Sequence, residues 1–329
     1  MNLLVLSATA SAINFVKSLQ SHPHIRLFLT DCTKYAAGFY EDNVVPLLMP
    51  PARNREQYKS VLNEIILKNG IDALVATSDH DMEAVMDLLH RGWDPPVRMF
   101  RPDFEAYRIL SHKGRLTSRL RELGFNVPRL FGINDDRTFP VVIKPSSEGG
   151  TKGVWIAHNE SEFRMYYRAV ENQFGGDIVV QEFIPGGVGT LHIALLLYGH
   201  DGKVCGEAVS QSHLTFMSWG GGGNAGVVIE RPELLEQAKR IIEAIGGWRG
   251  PINLEFKLHS ENHLYYLLEA NCRLNGYSYL MTMNGMNFPL AIVEILSSGK
   301  TDFLSLNKHQ QTLNFVIGFR ETPIERWAT

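Results

Sequence analysis

The sequence predicts a mixed chain: an α/β unit built on a parallel sheet, followed by an α+β region built from hairpins. Two observations carry this reading. Over the first ~100 residues short apolar runs alternate with amphipathic segments, and beyond "FPVVIKP" the apolar runs are joined by turn-like stretches. A third observation sets the scale: the 329 residues are 44% hydrophobic and 20% charged, an ordinary globular composition with material for two or three cores.

Taken in order, "LLVLSA", "IRLFLTD" and "DALVATSD" read as strands, and "SAINFVKSL" and "REQYKSVLNEIILKN" read as helices. Strands separated by helical crossovers form a parallel, Rossmann-like unit. The turn after the first strand is "SATASA", without the GxGxxG of dinucleotide binding. "RGWDPPVRMFRP" has no periodicity and is rich in Pro and Gly, which places a boundary near residue 100. A helix is expected from about Asp103, with Leu116, Leu120 and Leu123 on one face, ending at "GFNVP". Strands and hairpin turns follow, then a helix at "RPELLEQAKRIIEAIGG", further strands and a last helix at "NFPLAIVEILSSG".

Composition narrows the partners. A formal net charge of -3 supplies no basic field for nucleic acid, which points to small-molecule partners. Cys32, Cys205 and Cys272 have neither disulfide-framework nor zinc-site spacing, and suit a reducing compartment. "MNLLVLSATASA" looks superficially like a secretory leader, but no Lys or Arg precedes its short apolar run and helical spacing continues after it. No apolar stretch approaches the ~20 residues of a membrane span, so a cytoplasmic location is expected.

The strongest chemical signal lies in "INLEFKLH" and "HLYYLLEANCR", joined by "SEN". An antiparallel hairpin centred on Asn262 sets Glu255 opposite Glu269 and Asn253 opposite Asn271, with Leu268 and Ala270 turned to the core. Opposed carboxylates, with Cβ atoms ~5 Å apart, repel unless a cation sits between them. Two carboxylates and an amide oxygen suit Mg²⁺ or Mn²⁺. Arg273, further along that face, would meet a transferred phosphoryl group or its acyl product. The alternative is a Glu–Arg pair with a capping Asn on a solvated face.

In "VVIKPSSEGGTKGVWIA" a strand delivers Lys144 and a Gly-rich turn follows, a pattern that aims backbone N–H groups at phosphate oxygens; a plain hairpin loop would read similarly. No helix follows the glycines, so this is not a GxxxxGK[ST] loop. "DIVVQEFIPGG" is a strand entering a Pro-Gly turn, where a free edge would bond an adenine while Phe183 or Ile184 covers the ring. Lys113 in "SHKGRL" taken alone is a surface helix lysine.

Together and in this order, these segments resemble the ATP-grasp superfamily, specifically the carboxylate-amine ligases related to the carbamoyl phosphate synthetase large chain and biotin carboxylase. The likeness covers almost the whole chain, from "TDCTKYAAGFYEDNVVPLLMP" and "IDALVATSDHDM" to the paired "NLEF" and "EANCRLNG" strands. It implies a Rossmann-like pre-ATP-grasp domain over 1–102 and a two-subdomain ATP-grasp fold: an N-terminal subdomain with a lid over 103–185 and a C-terminal subdomain over 186–329. It implies Lys113 and Lys144 on the phosphates of ATP, with Gly150, Thr151, Lys152, Gly153 and Val154 closing over them. Glu182, Phe183 and Ile184 would lie at the adenine, Glu255, Glu269 and Asn271 on Mg²⁺, and Arg273 at the transferred phosphoryl, sharing the catalytic role with Lys144.

The implied chemistry is attack of a carboxylate on the γ-phosphate to give an acyl phosphate and ADP, then capture by an amine to give an amide. Amino-acid, dipeptide, sugar-acid and secondary-metabolite substrates all fit, and a homodimer is compatible with the family. Two rivals are an acyl phosphate captured by a non-amine acceptor and a non-catalytic ATP-binding regulatory protein. The chain departs from its relatives at Gly189, where a ribose-binding carboxylate is expected, and at "SQSHLTFMSWGGGGNAG", where His213 stands in for a basic residue as a phosphate or substrate contact. Cys272 takes a place usually held by proline. Asn275 and Gly276 are candidates for the acceptor side of the pocket.

Overall fold

The computed structural model describes residues 1–217, 220–299, 301 and 313–316. Its first sheet is parallel, in the order β3 (Val44–Leu48), β2 (Arg26–Asp31), β1 (Asn2–Leu6), β4 (Ala73–Ala76). Helices α1 (Ala10–Leu19), α2 (Arg55–Asn69) and α3 (Asp79–His90) are its crossovers and the helix that follows. The apolar residues of β1 are fully buried because both of its faces are covered. Tyr58, Leu62 and Val85 pack on one face, while Phe15 with Phe288 and Ile292 of α9 (Phe288–Ser298) packs on the other. Pro46 lies in β3, at the sheet edge, the position at which a proline costs no ladder bond.

The single helix expected after Asp103 is two: α4 (Phe104–Leu110) and α5 (Lys113–Glu122). Each helix has its own capping side chain, and the second marks the break. The Asp103 carboxylate accepts from the backbone N–H groups of Glu105 and Ala106, and the His112 ring nitrogen accepts from that of Arg115, so a second helix starts where the first ends.

A second sheet is small and antiparallel, in the order β6 (Trp155–Ala157), β5 (Val141–Pro145), β7 (Ile178–Glu182), and α6 (Glu160–Phe174) packs on it through Phe163 and Val170. The turn from β5 to β6 holds Gly150, Thr151 and Gly153 at φ of +67°, +65° and +69°. At Gly153 a Cβ would come within 2.4 Å of the Phe174 ring, so only glycine lets this loop lie against α6.

The third sheet runs β12 (Tyr265–Asn271), β11 (Gly250–Leu258), β8 (Leu191–Tyr198), β9 (Val204–Met217), β10 (Gly220–Ile229), β13 (Leu313–Val316). Its described pairs are antiparallel. Helices α4, α5 and α7 (Pro232–Ile245) cover one face through Leu116, Leu120, Leu234 and Ile241. Short helix α8 (Ser278–Met283) precedes α9, and together they carry the chain back to the first sheet.

Candidate active site

The β11–β12 hairpin sets Asn253 opposite Asn271 and Glu255 opposite Glu269, and then changes register. Phe256 pairs with Leu267, so Leu268 is an extra residue in β12. This corrects the expected alternation: Leu267, not Leu268, enters the apolar cluster, while Ala270 packs against it and Cys272 is buried within it. A bulge lets the apolar set before it and the polar set after it face correctly in one strand.

Six charged side chains meet over this hairpin. Lys113 Nζ lies 3.2 Å from Glu269 Oε2 and donates to the Glu148 carbonyl at 2.6 Å. Lys144 Nζ, reaching across from β5, donates to the Leu268 carbonyl at 3.3 Å. Asn271 Nδ2 donates to Glu255 Oε1 at 3.0 Å, and Arg273 reaches the Asn271 side-chain oxygen at 3.4 Å and Asp79 Oδ2 at 2.8 Å. Three cations thus face Glu255, Glu269 and Asp79.

The local folding that aims Lys113 is explicit. Asp177 accepts from Ser146 Oγ at 2.7 Å and lies 3.0 Å from the His112 ring, while the Lys113 backbone N–H donates to the Ser146 carbonyl. The start of α5, the end of β5 and the turn before β7 are therefore clamped together, and the two lysines arrive side by side. Gly149, in the loop after β5, lies against Asp79, where a Cβ would come within 2.9 Å of Oδ2.

Burial and like charge give these groups unusual proton affinities. Burial first, and the Glu269 carboxylate second, push Glu255 up to about 8. Burial also pushes Glu269 up, but the ammonium groups of Lys113 and Lys144 outweigh it and hold this carboxyl below its usual range. Lys144 is brought down to about 8 by burial, with Glu269 opposing the shift. A buried carboxylate held protonated is a group short of a cation.

The donor set fits a hard divalent ion. Glu255 and Glu269 oppose each other, Asn271 adds an amide oxygen, and Asn253 Oδ1 on the same strand face as Glu255 is buried without a hydrogen-bond partner. Among the described residues there is no group of three or more His, Cys, Asp or Glu that would hold a metal alone. That partial shell is the pattern of Mg²⁺, which takes one or two carboxylates and completes its coordination with phosphate oxygens and water.

A cleft of about 1070 Å³ opens beside this centre. Lys113, Glu148, Gly149 and Asn271 form one wall, and Ser7, Asp31 and Asp79, at the carboxyl ends of β1, β2 and β4, form the other. Crevices at the strand ends of a parallel sheet are where small molecules bind. At the other end of the hairpin Lys257 is 4% exposed, its ammonium 4.3 Å from the centre of the Phe183 ring, with burial bringing it down to about 8.

The remaining expected site residues lie as follows. Ile184 is buried and Phe183 half-buried after β7, and Glu182 accepts from the Arg129 backbone N–H at 3.1 Å. Thr151, Gly153 and Val154 are half-buried in the β5–β6 turn, with Lys152 exposed. His213 is exposed on β9; Ser218 and Trp219 of its glycine-rich segment lie outside the described residues. Asn275 accepts from the Tyr277 backbone N–H through its side chain, closing its own turn, and the Gly276 carbonyl accepts from Asn14 of α1. The carbonyl of Gly189, at φ +91°, accepts from Gln211 at 2.6 Å.

Asp79 is a site residue that no sequence motif marks. It opens α3 directly after β4, inside the quoted "TSDHDM", and no spacing rule connects it to Arg273, 194 residues away. The only available signal was its position at the carboxyl end of a parallel strand. Replacing Asp79 with Ala leaves the buried Arg273 without its carboxylate and is expected to lower the melting temperature by ~2 °C or more, read by thermal denaturation.

A family model described as ATP-grasp in the biosynthetic pathway with Ter operon matches residues 217–315. The carbamoyl phosphate synthase large chain of Archaeoglobus fulgidus is 24% identical over 213 residues, 59% of this chain and 19% of that protein. Among solved structures, L-amino acid ligase from Bacillus licheniformis superposes with a TM-score of 0.65 at 14% identity, covering 90% of this chain and 73% of that one. Biotin carboxylase from Campylobacter jejuni gives 0.69 at 16%, covering 90% and 70%. The chain spans less than a fifth of the synthase's length and 7% of the acetyl-CoA carboxylases it also matches. These likenesses share one architecture, the ATP-grasp fold.

Proposed function

We propose that this ATP-grasp chain is an ADP-forming ligase that joins a small carboxylate to an amine through an acyl phosphate. The observation that carries the reading is the register of the hairpin: Glu255 and Glu269 face each other with Asn271 beside them, ringed by Lys113, Lys144 and Arg273. The L-amino acid ligase likeness supports the amide-forming version. The same reading divides the chain into three units, 1–102, 103–185 with the lid, and 186–329, of which residues 218–219, 300, 302–312 and 317–329 lie outside those described.

In this reading Glu255, Glu269 and Asn271 hold Mg²⁺ or Mn²⁺. The ion, when bound, neutralises phosphate oxygens and draws charge from the transferred group. Lys113 and Lys144 turn from their present acceptors, the Glu269 carboxylate and two backbone carbonyls, to the phosphates of ATP. The glycine turn after β5 closes over them and keeps water from the acyl phosphate. A carboxylate oxygen of the substrate attacks the γ-phosphorus, the bond to the bridging oxygen breaks, and ADP leaves. The neutral amine then attacks the acyl carbon, inorganic phosphate departs, and the amine proton leaves with it or to water. Arg273 stabilises the negative charge that develops at the acyl phosphate.

ADP release, measured across pairs of carboxylates and amines with Mg²⁺ and ATP, tests the proposal. Release that requires both members of one pair and yields their amide supports it. Nucleotide binding without release over a broad panel would assign the chain a regulatory role, and release without amide would assign a different acceptor. No helix among the described residues is long and apolar enough to cross a membrane.

A further inference from the structure

We propose that His112 positions Lys113 for the phosphates of ATP and makes that positioning depend on pH, because its ring caps α5 only while it carries a single proton; this rests on the ATP reading of the cleft. His112 directly precedes Lys113, the first residue of α5, and its Nδ1 accepts from the Arg115 backbone N–H at 3.2 Å. A backbone N–H can only donate, so Nδ1 carries no proton. The ring proton is therefore on Nε2, which lies 3.0 Å from Asp177 Oδ2 and donates to it. The ring has little room to rearrange: the side chain is 16% exposed, and a Cβ on Gly114 would come within 3.3 Å of it.

A second proton makes Nδ1 a donor that faces another donor. It also adds positive charge at the positive end of a helix, beside Lys113 and Arg115 of α5 itself. From the turn before β7, Asp177 faces the ring. Burial pushes its carboxyl up, but the hydrogen bond from Ser146 and the charge of the His112 ring outweigh that and hold it below its usual range. Asp177 therefore stays an anion as pH falls and draws the charged ring off the cap. The other neighbours do not replace the lost acceptor: Ser146 of β5 and Val179 of β7 bring no charge, Arg108 of α4 is paired with Glu105, and Glu148 holds Lys113 through its carbonyl. The first turn of α5 then opens at Lys113, whose ammonium must stand where the phosphates arrive.

The test is calorimetric binding of ATP with Mg²⁺, and of adenosine, to the wild-type chain, H112N and H112A at about pH 8 and about pH 5.5, the range in which imidazole takes up its second proton. Asparagine caps a helix well without titrating, and the variant keeps every other titrating group. Between the two pH values the wild type is expected to lose ~5-fold more ATP affinity than H112N, the scale of one cap. At about pH 8, H112A is expected to bind ATP ~5-fold more weakly and H112N to match the wild type, while adenosine, which has no phosphates, binds all three alike. Parallel pH dependence in the wild type and H112N, or unchanged ATP affinity in H112A, overturns the proposal and leaves the ATP reading standing. Equal losses of ATP and adenosine in H112A also overturn it and make the ring a support of the fold. If H112A does not fold, the comparison of the wild type with H112N decides. A wild-type chain that binds neither ligand overturns both readings.

Discussion

Arg273→Ala is expected to lower turnover by roughly 10² or more while leaving ATP affinity close to that of the wild type, the signature of losing one group that stabilises charge only in the transition state. The structure gives this its asymmetry. Arg273 lies beyond the carboxylate pair, bonded to Asp79 and to the Asn271 side chain, and it touches neither lysine that would hold the phosphates. Its Nε is buried without a hydrogen-bond partner. Lysine at this position is expected to recover little, because a point charge cannot reproduce a planar fork. Steady-state kinetics with a direct nucleotide-binding measurement separates the outcomes, and equal losses in both would make Arg273 a structural residue.

Glu255→Gln is expected to make the protein more stable at pH 8 and inactive. In the folded chain Glu255 ionises near 8, against about 4.3 in an unfolded one. Its folded value is raised, so the folded state keeps its proton longer, and the stability this group allows is whole below about pH 4 and is lost as pH climbs to about 8. Glutamine removes that loss while keeping an oxygen for the Asn271 amide to donate to. The melting temperature of the variant should exceed that of the wild type by ~2 °C or more at pH 8, with the gap closing toward pH 5. Mg²⁺ with ATP should then raise the melting temperature of the wild type more than that of the variant. A variant less stable than the wild type at pH 8 would contradict the electrostatic account of the pair.

Much of this arrangement was written locally. Polar residues at alternate positions of two neighbouring apolar runs point to the hairpin, and a loop centred on Asn262 gives the Glu255–Glu269 pair, although the pairs nearer the loop run one residue out of that register and the Leu268 bulge restores it. α1 and α2 were legible from the spacing of Phe15 and Val16, and of Leu62, Ile65 and Ile66. Other features were not. β3 carries Pro46, which reads as a break until the strand is known to lie at an edge. α6 carries Phe163, Tyr166, Tyr167 and Val170, residue types that favour strands and hide a helix whose local signals are their i, i+3, i+4, i+7 spacing and the Asn159 cap on Glu162. The Leu268 bulge, the clamp of Asp177 on Ser146 and His112, and the Asp79–Arg273 pair join distant segments, and no local pattern encodes them.

The central claim is that a carboxylate is activated here by phosphoryl transfer, and the fate of one oxygen atom tests it most directly. Once a substrate acid is in hand, its carboxylate oxygens are isotopically labelled and the released phosphate is analysed by mass spectrometry. Attack on the γ-phosphorus predicts ADP and inorganic phosphate carrying one labelled oxygen for each amide formed. Unlabelled phosphate, or label in AMP with release of pyrophosphate, would contradict it.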